Sequence, residues 1–271
     1  MRFRTYPAQP LILLTAFIMI FTGCSPSTNP SGQVATTDQQ TDVSEDFGAT
    51  ISADDEGILA LWMETDYLFN PPSSASTAAD GDSSKTRFRR EMDGLTIDFE
   101  LTFYDANDNP SPTYDSLTTV RAVRDITIDG TLESLHRTAT IHHVDHTEIS
   151  GIAPHDSIHV LNGSSQREVE STFKAAFRKV QRTFKGEHDM QVTNFTWHRD
   201  YDAHPYPFDG IIDARTIMYL NQSGGQGEGT FELALDFSIG FDGTQYAEMR
   251  IDDGESFWID LETGECHTRH P

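Results

Sequence analysis

From Phe231 onward the chain alternates: Phe231, Leu233, Leu235, Phe237, Ile239 and Phe241 occupy every second position, with Glu232, Asp236 and Ser238 between them. Successive side chains of an extended strand point to opposite faces, so this spacing predicts a strand about 35 Å long with one buried and one wet face. The pattern recurs at Ile97, Phe99, Leu101 and Phe103, at Ile212, Ala214, Met218 and Leu220, at Ala247, Met249 and Ile251, and at Phe257, Ile259 and Leu261. Turn residues separate the runs at Asn107-Asp108-Asn109-Pro110, Asp129-Gly130, Gly224-Gly225, Asp242-Gly243 and Asp253-Gly254. Asp-Gly pairs favour positive φ and are strong hairpin signals. The expected fold is therefore mostly β: an antiparallel meander of about eight to ten strands forming an open curled sheet, half-barrel or sandwich, with one or two short helices. Charges at outward positions argue against a lipid-spanning barrel, whose outer positions are apolar.

Residues 165 to 185 carry two patterns at once. Val169, Phe173, Ala176, Phe177, Val180 and Phe184 share a helical face, introduced by a Ser165/Glu168 capping box and closed by Gly186. Val169, Ser171, Phe173, Ala175 and Phe177 also alternate as a strand, and the surrounding strands favour that reading. A short helix is expected at 54 to 68, where Asp54 or Asp55 precedes Ile58, Leu59, Leu61 and Trp62.

The beginning of the chain has a different character. Arg2 and Arg4 lead to Pro10 and the apolar run Leu11 to Phe21, which is shorter than the roughly 20 residues a membrane-crossing helix needs. A basic start, a short apolar centre and a small-residue end describe a secretory signal. The stretch Phe21-Thr22-Gly23-Cys24 resembles the lipobox of bacterial lipoproteins, with the usual Leu replaced by Phe21. That resemblance implies cleavage before Cys24, acylation of its thiol and anchoring in a lipid bilayer. Ser25 after the cysteine resembles an outer-membrane destination. Two or more acyl chains hold a protein firmly, at about 0.8 kcal/mol per buried methylene.

The organisation that follows is a signal peptide at 1–23, a polar tether at 24–56, a short helix with a Ser/Ala-rich loop at 57–86, one β domain at 87–265 and a tail at 266–271. The tether is poor in large apolar residues and cannot bury enough surface to offset ordering entropy; it would hold the domain roughly 30 Å from the bilayer. With Cys24 acylated, Cys266 has no partner in the chain, so no disulfide framework is expected.

There are 19 Lys+Arg against 43 Asp+Glu, a net charge of −24. Such a surface repels nucleic acid and anionic headgroups. Lysine occurs only at 85, 174, 179 and 185, and many acids with few lysines is also the composition of a salt-adapted protein.

Three stretches invite a chemical reading. Asp105-x-Asn107-x-Asn109 resembles half of a calcium loop but lacks the following Gly and the bidentate Glu, so an Asn/Asp/Pro turn is expected. His142, His143 and His146 cluster, yet on a strand His142 and His146 lie about 13 Å apart, too far to share a metal unaided. The connection Trp197 to Asp209 gathers Trp197, His198, Asp200, Asp202, His204 and Tyr206, the best candidate ligand-binding residues. Paired carboxylates there, or Asp beside His, suit hydrolytic acid/base chemistry if they converge; otherwise the stretch is a proline-and-aromatic corner.

No Gly-x-Ser-x-Gly elbow, phosphate loop, Cys-x-x-Cys pair or dinucleotide fingerprint occurs. No cofactor, metal or catalytic residue is therefore expected. The reading is a membrane-anchored envelope lipoprotein whose β domain is a non-catalytic binding or structural module, with a hydrophobic ligand or another envelope protein as partner. The alternative is a hydrolase or metal-binding enzyme using residues 197–209.

Overall fold

The computed structural model describes residues 58–70, 72, 75–77, 83–92, 94–133, 137–175, 180–201, 203–223, 229–252 and 254–268. Two short helices, α1 (Ile58–Met63) and α2 (Asp66–Phe69), precede the strands. The strands are β1 (Ser76–Thr77), β2 (Thr86–Met92), β3 (Leu95–Asp105), β4 (Pro110–Ser111), β5 (Thr119–Glu133), β6 (Arg137–Ser150) and β7 (Ile158–Ala175). They continue as β8 (Val180–His198), β9 (Asp209–Ser223), β10 (Gly229–Gly240), β11 (Tyr246–Ile251), β12 (Ser256–Asp260) and β13 (Cys266–His267).

All pairings are antiparallel and follow chain order from β1 to β13, except that β4 hooks onto β3. Among the described residues the result is one open, unclosed meander of 13 strands, and the mostly-β expectation holds. The strand number exceeds the expected eight to ten because β1, β4 and β13 are two-residue pairings, too short to leave an alternating signature.

Alternation sets the two faces. Ile97, Phe99, Leu101 and Phe103 of β3, Ile212 and Ala214 of β9, and Leu233, Leu235, Phe237 and Ile239 of β10 are buried on the inner face. The outer face carries cross-strand ion pairs, among them Arg89 with Asp98 at 2.8 Å and Arg121 with Glu148 at 2.7 Å. Exposed pairs of this kind contribute about 0–1 kcal/mol each. They keep the outer face wet more than they stabilise the fold.

The helices are too short to persist alone; packing holds them. Leu59, Trp62 and Leu68 are fully buried against the inner face. Trp62 meets Phe195 edge-on, with ring centroids 5.7 Å apart, and Tyr67 lies against Phe99 at 5.0 Å. Helix and sheet thus share a single hydrophobic core.

Residues 165 to 185 are strand wherever the structure describes them. Ser165 is buried and Glu168 exposed, so the residues of the apparent capping box sit on opposite faces. Val169 pairs with Gly186 and Glu170 with Lys185 across the β7–β8 hairpin. Cross-strand burial on both sides outweighs local helix propensity.

Asp129-Gly130 is not a turn. β5 runs through it, and Gly130 pairs with Leu95 on one side and Ile141 on the other. A Cβ at Gly130 would fall 2.2 Å from the carbonyl oxygen of Gly94, so glycine is required here by a close approach between strands. The turns at 107–110 and 242–243 do connect strands as expected. Gly224, Gly225 and Asp253, like Asp54 and Asp55, lie outside the described residues.

Candidate functional site

The end of β8 and its connection to β9 contain the residues singled out in the sequence. Trp197, at the end of β8, turns into the core, where it packs on Phe195 (centroids 5.5 Å) and His159 (5.3 Å). His198 stacks on His204 at 4.2 Å and on Phe208 at 4.6 Å. Tyr206 donates its hydroxyl to Glu262; desolvation and the adjacent carboxylate push its pKa well up. The backbone oxygen of Asp200 accepts the His204 N–H at 3.1 Å, while the Asp200 side chain is exposed. Asp202 and Cys24 lie outside the described residues.

Among the described residues, no hydrogen bond joins His198 or His204 to a carboxylate, and a general base needs such an orienting partner. The stretch is built as a stacked aromatic corner.

The Asp105 stretch is a turn as well. Asp105 Oδ1 accepts the backbone N–H groups of Asn107 (2.8 Å) and Asn109 (3.0 Å), and its Oδ2 accepts Asn109 Nδ2 at 2.8 Å. Those bonds hold its pKa below the usual carboxylate value. No group of three or more His, Cys, Asp or Glu among the described residues is placed to hold a metal. His142 and His146 share the outer face of β6, and each meets the carboxylate directly across on β5, Asp129 at 2.6 Å and Asp125 at 2.5 Å.

A different site emerges on the inner face. β6 places Ile141, His143, Asp145, Thr147 and Ile149 inward, and that parity puts a histidine and an aspartate in the core. Asp145 is fully buried and lies 3.6 Å from the equally buried Arg124 of β5. Trp62 Nε1 donates to Asp145 Oδ2 at 3.1 Å. Arg124 donates to Thr147 Oγ1 (3.1 Å), to the Leu61 carbonyl (3.1 Å) and to the Tyr67 hydroxyl (2.6 Å). One ion pair thus clamps both helices to the sheet. Burial pushes the Asp145 carboxyl up to about 6, against the pull of Arg124.

Beside this clamp runs a polar row. His143 of β6 pairs directly with Arg167 of β7, Arg167 with His188 of β8, and His188 with Thr216 of β9. His143, His188 and Thr216 are at most 2 % exposed. His188 Nδ1 meets Thr216 Oγ1 at 2.9 Å, and His143 Nε2 lies 3.5 Å from Ser165 Oγ. Gly186 makes room for this row, since a Cβ there would fall 3.0 Å from His188 Nε2. Desolvation, with the Arg167 charge adding to it, lowers His143 to about 3 and His188 to about 4. Both are neutral near pH 7.

Apolar alternation alone does not single out Arg124, Asp145, Arg167 or His188, and His143 stands out only as a member of the His142/His143/His146 cluster. The signal was present: Arg124 has the parity of Ala122 and Ile126, and His143 that of Ile141. On the outer face of β7 to β10 a groove of about 610 Å³ is lined by residues including Gln166, Asp189, Gln191, Asp213 and Asp236. Comparison with protein-family models, curated proteins and solved structures finds no match for this chain.

Proposed function

We propose that this protein is exported, anchored in the bacterial cell envelope through an acylated Cys24, and uses its β domain to bind rather than to catalyse. The anchoring half rests on Phe21-Thr22-Gly23-Cys24 and the basic, apolar segment before it. The binding half is carried by one observation: two buried histidines in register with a half-buried arginine on an inner face that folding alone would fill with apolar groups. Burying such groups is costly, and strongly perturbed buried clusters concentrate where proteins bind or react. Catalysis is not proposed, because the described residues of the 197–209 connection bring no base and orienting carboxylate together.

The test is metabolic labelling with an alkyne palmitate in a bacterial host, followed by membrane fractionation. The wild-type chain takes the label and stays with membranes through a high-salt wash; Cys24→Ala takes none. Label on Cys24→Ala, or an unlabelled wild-type chain, would remove the anchor.

A further inference from the structure

The geometry points to an oxyanion site on the inner face of β6 to β8, where a ligand's carboxylate or phosphate oxygen is held between His143, Arg167 and His188, with Ser165 orienting His143. This rests on the binding reading above and names its ligand. Directly opposed residues of an antiparallel pair place their Cβ atoms about 4.5–5.5 Å apart, so the His143–Arg167–His188 register gathers two imidazoles and a guanidinium within reach of one small group. Ser165 orients His143 from the neighbouring row, its Oγ 3.5 Å from His143 Nε2.

A separate observation asks for a ligand. His143 is 1 % exposed, and its Nδ1 is buried with no hydrogen-bond partner among the described residues. Buried polar atoms are almost always satisfied, and an unsatisfied one needs an explanation. In the tautomer whose Nε2 accepts the Ser165 hydroxyl, Nδ1 carries the ring hydrogen and is a donor, and the proposed site uses that tautomer.

The chemistry selects the ligand. Guanidinium and imidazole N–H donors complement oxygen bearing negative charge. Asp145, the carboxylate of the adjacent row, is engaged by Trp62 and Arg124. One row further along β6 and β7, Ile141 and Val169 pair within a second apolar cluster with Leu95. That cluster offers a wall for an acyl chain, so the oxyanion comes either from an acyl-chain acid or from a free small anion.

The test follows the ring-nitrogen resonances of His143 and His188 in the full chain, histidine-labelled with nitrogen-15 and held in nonionic detergent. Inorganic phosphate, octanoate and octanol are titrated in turn. The expected result is a saturable shift of both histidines with phosphate, which assigns a free anion, or with octanoate, which assigns an acyl-chain acid. Ser165→Ala, a small change that leaves the packing intact, removes the hydroxyl that holds His143 in the Nδ1–H tautomer and should weaken that binding about fivefold, the value of one neutral hydrogen bond. Equal shifts from octanol and octanoate overturn the oxyanion site while leaving a binding protein. No shift from any of the three overturns both, and unchanged affinity in Ser165→Ala overturns the placement.

Discussion

Acidification should destabilise this protein through its buried histidines, His143 and His188 foremost, with His159, also fully buried and lowered by desolvation, acting in the same direction. His143 and His188 have folded pKa values lowered to about 3 and about 4 from an ordinary 6.5. A histidine whose folded pKa is depressed favours its neutral form in the fold, so its stabilising contribution is complete above pH 6.5 and is lost as pH falls toward the folded value. At about pH 4.5 the linkage relation assigns each a loss of about 2.5 kcal/mol relative to neutral pH. Asp145 acts in the opposite direction, because its carboxyl is raised to about 6 from 3.8. Its proton is bound more tightly in the fold, which restores about 2 kcal/mol over the same interval. The net loss is about 3 kcal/mol, a large share of a typical 5–15 kcal/mol, and corresponds to a fall in Tm of about 6–12 °C for a domain of this size. Urea titrations at neutral pH and at about pH 4.5, read by the fluorescence of the buried Trp62 and Trp197, measure it. In His143→Asn/His188→Asn most of the loss should disappear, leaving the remaining loss from His159 set against the gain from Asp145. An acid loss of wild-type size in that double variant would refute the reasoning.

Two further perturbations follow from the same geometry. Arg124→Met strands the Asp145 charge in the core and should cost about 3–5 kcal/mol in urea unfolding, whereas Arg124→Met/Asp145→Asn should recover most of it, because removing both charges leaves no unpaired ion. Gly130→Ala forces a methyl against the Gly94 carbonyl across the β3–β5 pair; a loss of about 2 kcal/mol or more is expected in thermal melts, while Gly240→Ala, where a Cβ meets nothing within 4 Å, should be close to neutral.

Much of the fold could be read from the sequence because a strand with one wet face writes its orientation into every second residue. β3 and β10 are the clearest cases, and their inward residues are the ones alternation names. The errors have equally local causes. Asp129-Gly130 reads as a hairpin turn from composition, yet its glycine answers to the Gly94 carbonyl in the turn that leads into β3, which no local window contains. Residues 165 to 185 fit both periods, and pairing to β6 and β9 decided between them. Trp197 looked like a loop aromatic available to a ligand and instead anchors the core beside His159.

By itself the sequence determined the β class, the meander order and the identity of the inward faces, since these depend on neighbours one or two residues apart. Tertiary structure alone decided that Arg124, Asp145 and Trp62 meet, residues 83 positions apart at the extreme, and that His143, Arg167 and His188 fall into one row. Strand register converts sequence parity into proximity. Parity is written locally, whereas register is set by the packing of the whole sheet.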